Sequence, residues 1–377
     1  MILIKTIVLF TTDAFALINF RGNLIRELVS KSYAVHVIAP NFDAESRKVL
    51  CGYGASTHDC HFERTGKNVL KDLKSCFHLL KLLKVLKPDC MLSFFIKPVI
   101  YGTACAFFAG VGHRVAMIEG LGSVFSDQGS ASSIKSLTRR FIVSKMYKCS
   151  LMLANAVVFL NQDDIDEFND RGILKKSRAT LLGGIGVDLN VWVNNAPVES
   201  PVTFIMVARL LREKGVVDFA DAARRVKYLY PDTRFIILGG LDLNPDSLTF
   251  QEVNSWVVEG IVEWPGHVSV MEWLAKSSVF VLPSYYREGV PRSSQEAAAM
   301  GLPIITTDSV GCRETVIDGV NGFLVPIKNF EALSDRMIEF IRNPRLISKM
   351  GKYSRQLAEQ EFSEEKKIAI LLNILKC

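Results

Sequence analysis

The chain has 377 residues, 49% of them hydrophobic, which is long for one core and ordinary for two of about 150 to 200 residues each. That share of apolar residues excludes a disordered chain. Residues 1–190 hold 24 Lys and Arg against 16 Asp and Glu, a balance of +8, and the rest hold 21 against 23, or −2; the basic first half points to anionic headgroups, a lipid diphosphate or a solvated surface, and no nucleic-acid-binding motif is visible.

Residues 2–10 read as a buried strand. Met1 to Ala16 mimics a signal peptide, but Lys5 within the apolar run and Asp13 before the supposed cleavage site favour a strand. A helix is expected over Phe20 to Ser30, with Arg21 at its start, and a strand over Tyr33 to Ala39. Lys67, Lys71, Lys74, His78 and Lys81 recur along a helix over Asn68 to Lys87, opposite Leu73, Phe77, Leu80 and Leu83; this stripe is either a solvated face or a membrane contact. A strand over Cys90 to Ile96 delivers Lys97 at its carboxyl end. Another over Arg114 to Ile118 ends in Glu119, which either meets a ligand as a base or caps the Gly turn that follows. Ser132 to Leu153 reads as a cationic amphipathic helix, either lying on an anionic membrane or presenting a charged outside. Ala156 to Asn161 and Arg178 to Leu182 are the last strands of the first domain.

No uncharged run approaches the length of about 20 residues that a bilayer crossing needs, so a soluble or peripheral protein is expected. The 8 cysteines include no CxxC pair, which suits reduced thiols in the cytosol. His58, Asp59, Cys60 and His61 invite a metal reading, but strand alternation sets His61 opposite to His58 and Cys60.

The turn-rich stretch 186–201 reads as a linker between an N-terminal domain over 1–185 and a C-terminal one over 202–358, followed by a helical tail over 359–377. The second domain alternates strands and helices, the signature of a parallel sheet. VTFIMVARLLREKG, starting at Val202, is a strand that delivers Arg209 and then Lys214, two cations suited to a diphosphate. Strands over Arg234 to Gly239, Gly260 to Trp264 and Ser278 to Pro283 follow. After the last comes YYREGVPRSSQEAAAMG, a loop with Glu288 and Gly289 and then a helix from Arg292 to Met300. Backbone N–H groups near Val290 to Ser294 lie at the positive end of that helix and suit a phosphate, with Glu288 on one side of it and Glu296 on the other.

ARLLREKG followed by EGVPRSSQE resembles the donor-binding half of the retaining glycosyltransferases of family four, which have the GT-B fold: an α/β architecture of two Rossmann-like domains with parallel sheets facing an interdomain cleft. KPVIYG at Lys97 and AMIEGLGSVFSDQG at Ala116 resemble, within that family, bacterial enzymes that add an N-acetylhexosamine to a sugar on undecaprenyl diphosphate. The resemblance implies a UDP-N-acetylhexosamine donor, with N-acetylgalactosamine favoured, an undecaprenyl-diphosphate-linked acceptor and an anionic membrane surface as partners, and a cytoplasmic, peripheral site on the inner membrane. It implies Arg209, Lys214, Glu288 and Glu119 as catalytic residues. Val268, Gly289, Val290, Pro291, Glu296 and Glu314 would bind the donor, and Lys97 and Arg21 the acceptor, although Arg21 could equally be a surface residue. Relatives commonly have glycine in the first loop, where this chain has Ala14 and Ala16. No cofactor is expected. With no Asp-x-Asp motif near the site, a divalent ion is not expected as a site ligand. A transferase with a soluble acceptor and a nucleotide-sugar sensor stand as alternatives, whereas the absence of GxGxxG after the first strand argues against a dehydrogenase.

Overall fold

Runs of Val, Ile, Leu and Phe make strands that need cover on both faces, and parallel sheets with helices on either side provide it. The computed structural model describes residues 5–62, 69–125, 134–193, 196–242, 244 and 246–376. Ile2 to Ile4, Lys67, Asn68, Ser132, residues 126–129 of the AMIEGLGSVFSDQG stretch and the side chains of Ile134 and Lys135 lie outside the described residues. Contacts divide the chain into one unit of Met1–Leu182 with Ile368–Cys377 and a second of Gly183–Lys367.

The first unit runs β1 (Thr6–Phe10), α1 (Ala14–Ser30), β2 (Ala34–Ala39), α2 (Ala44–Gly52), β3 (Ser56–Asp59), α3 (Val69–Leu86), β4 (Cys90–Phe94), α4 (Thr103–Phe108), β5 (His113–Ile118), α5 (Ile134–Met152), β6 (Ala156–Phe159), α6 (Gln162–Asp170) and β7 (Ala179–Leu181). Its sheet has the parallel order β3-β2-β1-β4-β5-β6-β7. The second runs β8 (Thr203–Val207), α7 (Val216–Leu229), β9 (Arg234–Leu238), α8 (Phe250–Val258), β10 (Glu263–Gly266), α9 (Val270–Leu274), β11 (Val279–Leu282), α10 (Arg292–Ala299), β12 (Ile304–Thr307), β13 (Gly322–Val325), α11 (Phe330–Arg342), α12 (Arg345–Glu361) and the first turn of α13 (Glu364–Leu375), a helix whose residues from Ile368 onward belong to the first unit. Its parallel order is β10-β9-β8-β11-β12-β13. In each sheet the chain reverses its direction of travel beside the first strand, between β1 and β4 and between β8 and β11. Ligands of such sheets bind beyond the carboxyl ends at that reversal.

Several local expectations change. α1 starts at Ala14 instead of Phe20 because the Asp13 carboxylate accepts the Phe15 N–H at 3.0 Å and caps the helix. Ala14 and Ala16 therefore lie in the first helical turn, where alanine is the best helix former, and Arg21 lies two turns in, not at the helix start. β10 begins at Glu263 rather than Gly260, which takes φ +71° in the turn after α8. On α3, Leu73 and Phe77 are 66% and 61% exposed, contrary to the expected apolar face. The inner stripe is Asp72, Cys76, Leu79 and Leu83, and Leu79 and Leu83 pack with Phe10, Phe62 and Met91 in the sheet's core. Asp72 is turned inward by an ion pair with Lys97, and this rotates Leu73 and Phe77 outward. Among the described residues no helix is long and apolar enough to cross a membrane.

Candidate functional site

The second unit's site is built where the loops after β8 and β11 close on each other. Gly215 holds φ +75°, and a Cβ there would meet the Pro283 carbonyl oxygen at 2.1 Å, so only glycine lets the two strand exits come this close. The Glu213 carbonyl accepts the N–H groups of Tyr285 and Tyr286, each at 2.9 Å. These contacts carry Lys214 onto Glu288, whose carboxylate it pairs with, and both side chains are largely buried. The ammonium also lies 5.0 Å from the centre of the Tyr286 ring. Ser284, fully buried, places its Oγ 3.1 Å from the Glu288 carboxylate and accepts the Tyr286 N–H at 3.2 Å.

The loop carrying Glu314 closes on the same turn. A Cβ at Gly311 would meet the Gly289 and Glu288 carbonyl oxygens at 2.3 and 2.7 Å, and Glu314 itself is exposed on the turn that follows. Gln295 donates to the Val290 carbonyl at 3.0 Å and so fixes the Val290–Pro291 corner that leads into α10. Pro291 is the N-cap residue just before α10, with no side chain capping the helix's first turn, and helix N-termini of this kind attract anions. Glu296 accepts from Arg292 Nε at 3.0 Å. Burial outweighs the attraction of Arg292 and pushes the Glu296 carboxyl up to about 7.

Arg209 leaves β8 beside the exit of β9, where a Cβ at Gly239 would meet the Ala208 carbonyl oxygen at 1.9 Å. It donates to Asp242 at 2.7 Å. The Gly239 N–H bonds the Gly266 carbonyl at 3.0 Å, which brings the partly exposed Val268, just past β10, to the same side of the sheet. Arg209, Lys214, Val268, Glu288 to Pro291 and Glu314 thus all lie on loops at the carboxyl edge of one sheet.

The remaining expected residues lie in the first unit. Arg21 is 2% exposed, so it is not a surface residue. Its guanidinium pairs with Glu119, donates to the Phe20 carbonyl at 2.9 Å and lies 5.0 Å from the centre of the Phe94 ring. Burial raises the Glu119 carboxyl against the lowering pull of Arg21. Glu119 therefore joins α1 to the end of β5. Lys97, just past β4, donates to both Asp72 oxygens, at 2.8 and 2.9 Å.

Sequence reading passed over four partners: Asp72, Asp242, Ser284 and Gln295. Asp72 had a signal, as the single acid in an otherwise basic helix. His58, considered above for metal, sits 2.9 Å from His36 on the neighbouring strand. Among the described residues no group of three or more His, Cys, Asp or Glu side chains could hold an ion.

Comparison with known proteins adds a lineage to this geometry. The model of "Glycosyl transferases group 1" matches residues 192–357, and that of "Glycosyl transferase 4-like" matches residues 7–161. The chain is 30% identical over 356 residues, 91% of each chain, to the N,N'-diacetylbacillosaminyl-diphospho-undecaprenol alpha-1,3-N-acetylgalactosaminyltransferase of Campylobacter jejuni. It is 24% identical over 314 residues, 80% of this chain and 78% of the relative, to an Escherichia coli UDP-Gal:alpha-D-GlcNAc-diphosphoundecaprenol alpha-1,3-galactosyltransferase. Among solved structures it shares its fold with sucrose-phosphate synthase from Thermosynechococcus elongatus, at TM-score 0.80 and 18% identity over 99% of this chain and 98% of the other. It shares it also with Anabaena HepE in complex with UDP and glucose, at TM-score 0.77 and 16% identity over 99% of both chains.

Proposed function

The chain belongs to the family-four glycosyltransferases with the GT-B fold, and from that premise we infer that it moves an N-acetylhexosamine, N-acetylgalactosamine first among them, from a UDP-sugar to a sugar on undecaprenyl diphosphate, with retention at the anomeric carbon. The observation that carries this reading is the Lys214–Glu288 pair standing at the chain reversal between β8 and β11, beside the start of α10. The activity named for the Campylobacter relative supports the choice of donor and acceptor.

As the bond to the donor diphosphate breaks, negative charge grows on the leaving oxygen. Lys214 and Arg209, with the N–H groups beyond Gly289 and Val290, stabilise it, and such interactions gain strength where water is excluded. Two fixed cations on the diphosphate serve the role a divalent ion would serve. Glu288 holds hydroxyls of the donor sugar and so fixes its attack geometry, Glu296 holds the ribose hydroxyls, the backbone at Val268 reads the base and Glu314 flanks the phosphates. Lys97 faces the acceptor diphosphate and Glu119 the acceptor hydroxyl. Arg21 acts through Glu119 as a positioning residue. Work on such an acceptor places the enzyme on the cytoplasmic face of the inner membrane.

The test is incubation with radiolabelled UDP-sugars and a short undecaprenyl-diphosphate-sugar analogue, followed by NMR of the product's anomeric centre. An α-linked product on the lipid analogue is expected; transfer that runs equally well to the free sugar, or an inverted product, overturns the reading.

Two further results are expected. Ser284 has one proton to give, with the Glu288 carboxylate at 3.1 Å and the Glu213 carbonyl at 3.3 Å as acceptors, and the nearer, charged carboxylate is the stronger of the two. Ser284→Ala should lower kcat about tenfold with a smaller change in donor KM, because hydrogen bonds to charged groups contribute roughly 1.5 to 3 kcal/mol and part of this is recovered by Lys214. Ser284→Thr should restore most of the rate; equal losses in both variants would make the residue purely structural.

The second concerns pH. Glu296 is protonated below about 7 and binds two ribose hydroxyls well only as the carboxylate. Donor KM should therefore fall as pH rises through about 7, by up to about tenfold per unit below it, and Glu296→Gln should flatten the profile. Stability runs the other way: with its folded value raised, Glu296 favours folding at low pH, and that contribution is lost as pH rises through the same point.

A further inference from the structure

The helices α3, α4 and α5 form one layer on the first unit. α4 packs against α3 through the cluster that joins Cys105 and Ala106 to Leu79 and Leu83. The turn leading into α4 packs against α5 through Val99 and Ile100 with Tyr147 and Leu151, and Ser150 donates to the Val99 carbonyl at 2.7 Å. With their apolar insides committed to these clusters, the three helices still expose large apolar side chains outward: Leu73 and Phe77 on α3, Phe108 on α4, and Phe141 and Ile142 on α5, each more than half exposed.

Charge on this layer has one sign. α3 contains four lysines, α5 contains five Lys and Arg, and α4 contains no charged residue. The one acid in all three helices, Asp72, faces inward to Lys97. Exposed lysines sit beside the exposed rings, with Lys81 Nζ 4.6 Å from the centre of Phe77 and Lys145 Nζ 5.2 Å from that of Phe141. An aromatic ring with an ammonium alongside it matches an interface where acyl chains meet phosphates, the ring entering and the lysine reaching back to the headgroup. A second copy of the chain would bring lysines against lysines. A bilayer of anionic lipid offers both apolar depth and opposite charge. We propose that the outer face of α3, α4 and α5 is a membrane-docking surface, with Phe77, Phe108 and Phe141 entering the acyl region of an anionic leaflet and the neighbouring lysines on its phosphates.

The placement deepens the reading of a lipid-carried acceptor. Asp72 and Lys97 tie the first turns of α3 to the carboxyl end of β4, so the docking face reaches the edge where a lipid diphosphate would be met. Its test needs no turnover, so docking and chemistry can fail separately.

The intact protein is centrifuged with vesicles of phosphatidylcholine alone and of phosphatidylcholine with phosphatidylglycerol, at low and high salt. Wild-type protein should pellet with the anionic vesicles, and more weakly as salt rises. Phe77→Glu with Phe141→Glu should lower partitioning at least about tenfold for each position, with unchanged circular dichroism and melting, because both sites are exposed. All four native tryptophans, Trp192, Trp256, Trp264 and Trp273, lie in the second unit, so Phe141→Trp reports its own position. Its emission should shift to the blue on anionic vesicles and be quenched by brominated acyl chains. Failure of wild-type protein to pellet, equal binding by the double variant, or a Phe141→Trp emission unmoved by vesicles overturns the proposal. A dimer broken by Phe77→Glu, with no vesicle binding, would overturn it in favour of a second copy.

Discussion

Replacing Lys214 with alanine is expected to lower kcat by about 100- to 1,000-fold, the range found when one preorganised donor to a developing oxyanion is removed. Lys214 reaches the site from the turn after β8, and the Gly215–Pro283 approach holds it there. Its ammonium meets Glu288 in a largely dry position, where a charge has more effect than in water. Two consequences separate catalysis from simple damage. The first is the kinetic split: charge that matters mainly at the breaking bond appears in kcat more than in donor KM. The second is chemical rescue, since alanine leaves a gap that a small alkylammonium ion can enter and partly restore turnover. Unchanged turnover in Lys214→Ala would remove Lys214 from the reaction, whereas donor binding without turnover in the wild-type protein would favour a nucleotide-sugar sensor over a transferase.

The grouping of Arg209, Lys214 and Glu288 at one sheet edge was legible because these residues are fixed by their distance from strand ends. ARLLREKG and EGVPRSSQE each begin at the exit of an apolar run, and the sheet order brings those two exits together. The pairings within the sites were not legible. Glu119 lies 98 residues from Arg21, and only the packing of α1 over the end of β5 brings them together. The same holds for Arg209 with Asp242. The start of α1 was hidden because Asp13 lies well before the helix expected over Phe20 to Ser30, when its carboxylate is the cap that starts the helix. α3 shows the limit of apolar periodicity. Leu73 and Phe77 fit an inward stripe as well as Leu79 and Leu83 do, and the deciding residue is charged: Asp72 must meet Lys97, and the helix turns to allow it. Exposed apolar residues on α3 and α5 are thus a property that only the folded arrangement reveals.

Arg21→Met is expected to destabilise the first unit by about 3 to 5 kcal/mol, because it leaves the Glu119 carboxylate buried without its cation. Both side chains are largely buried, so little of the loss can be recovered from water. Methionine keeps most of the volume against Phe94, which leaves charge as the main change. The pH dependence identifies the cause. Burial already raises the Glu119 carboxyl, and removing Arg21 raises it further, since the arginine was the group holding it down. Folding then favours the protonated acid: the variant should be closest to wild type at low pH and lose stability as pH rises through the raised value. Because the native tryptophans all lie in the second unit, the measurement is hydrogen exchange at the amides of β1 and β5. The reversing change is Glu119→Leu in the same chain, which removes the stranded charge. Arg21→Met with Glu119→Leu should recover most of the protection of β1 and β5, as apolar replacements of buried ion pairs often do, while turnover stays low if the Glu119 carboxylate has the proposed role towards the acceptor. Recovery of both stability and turnover would leave the pair with a structural role only and remove Glu119 from the reaction.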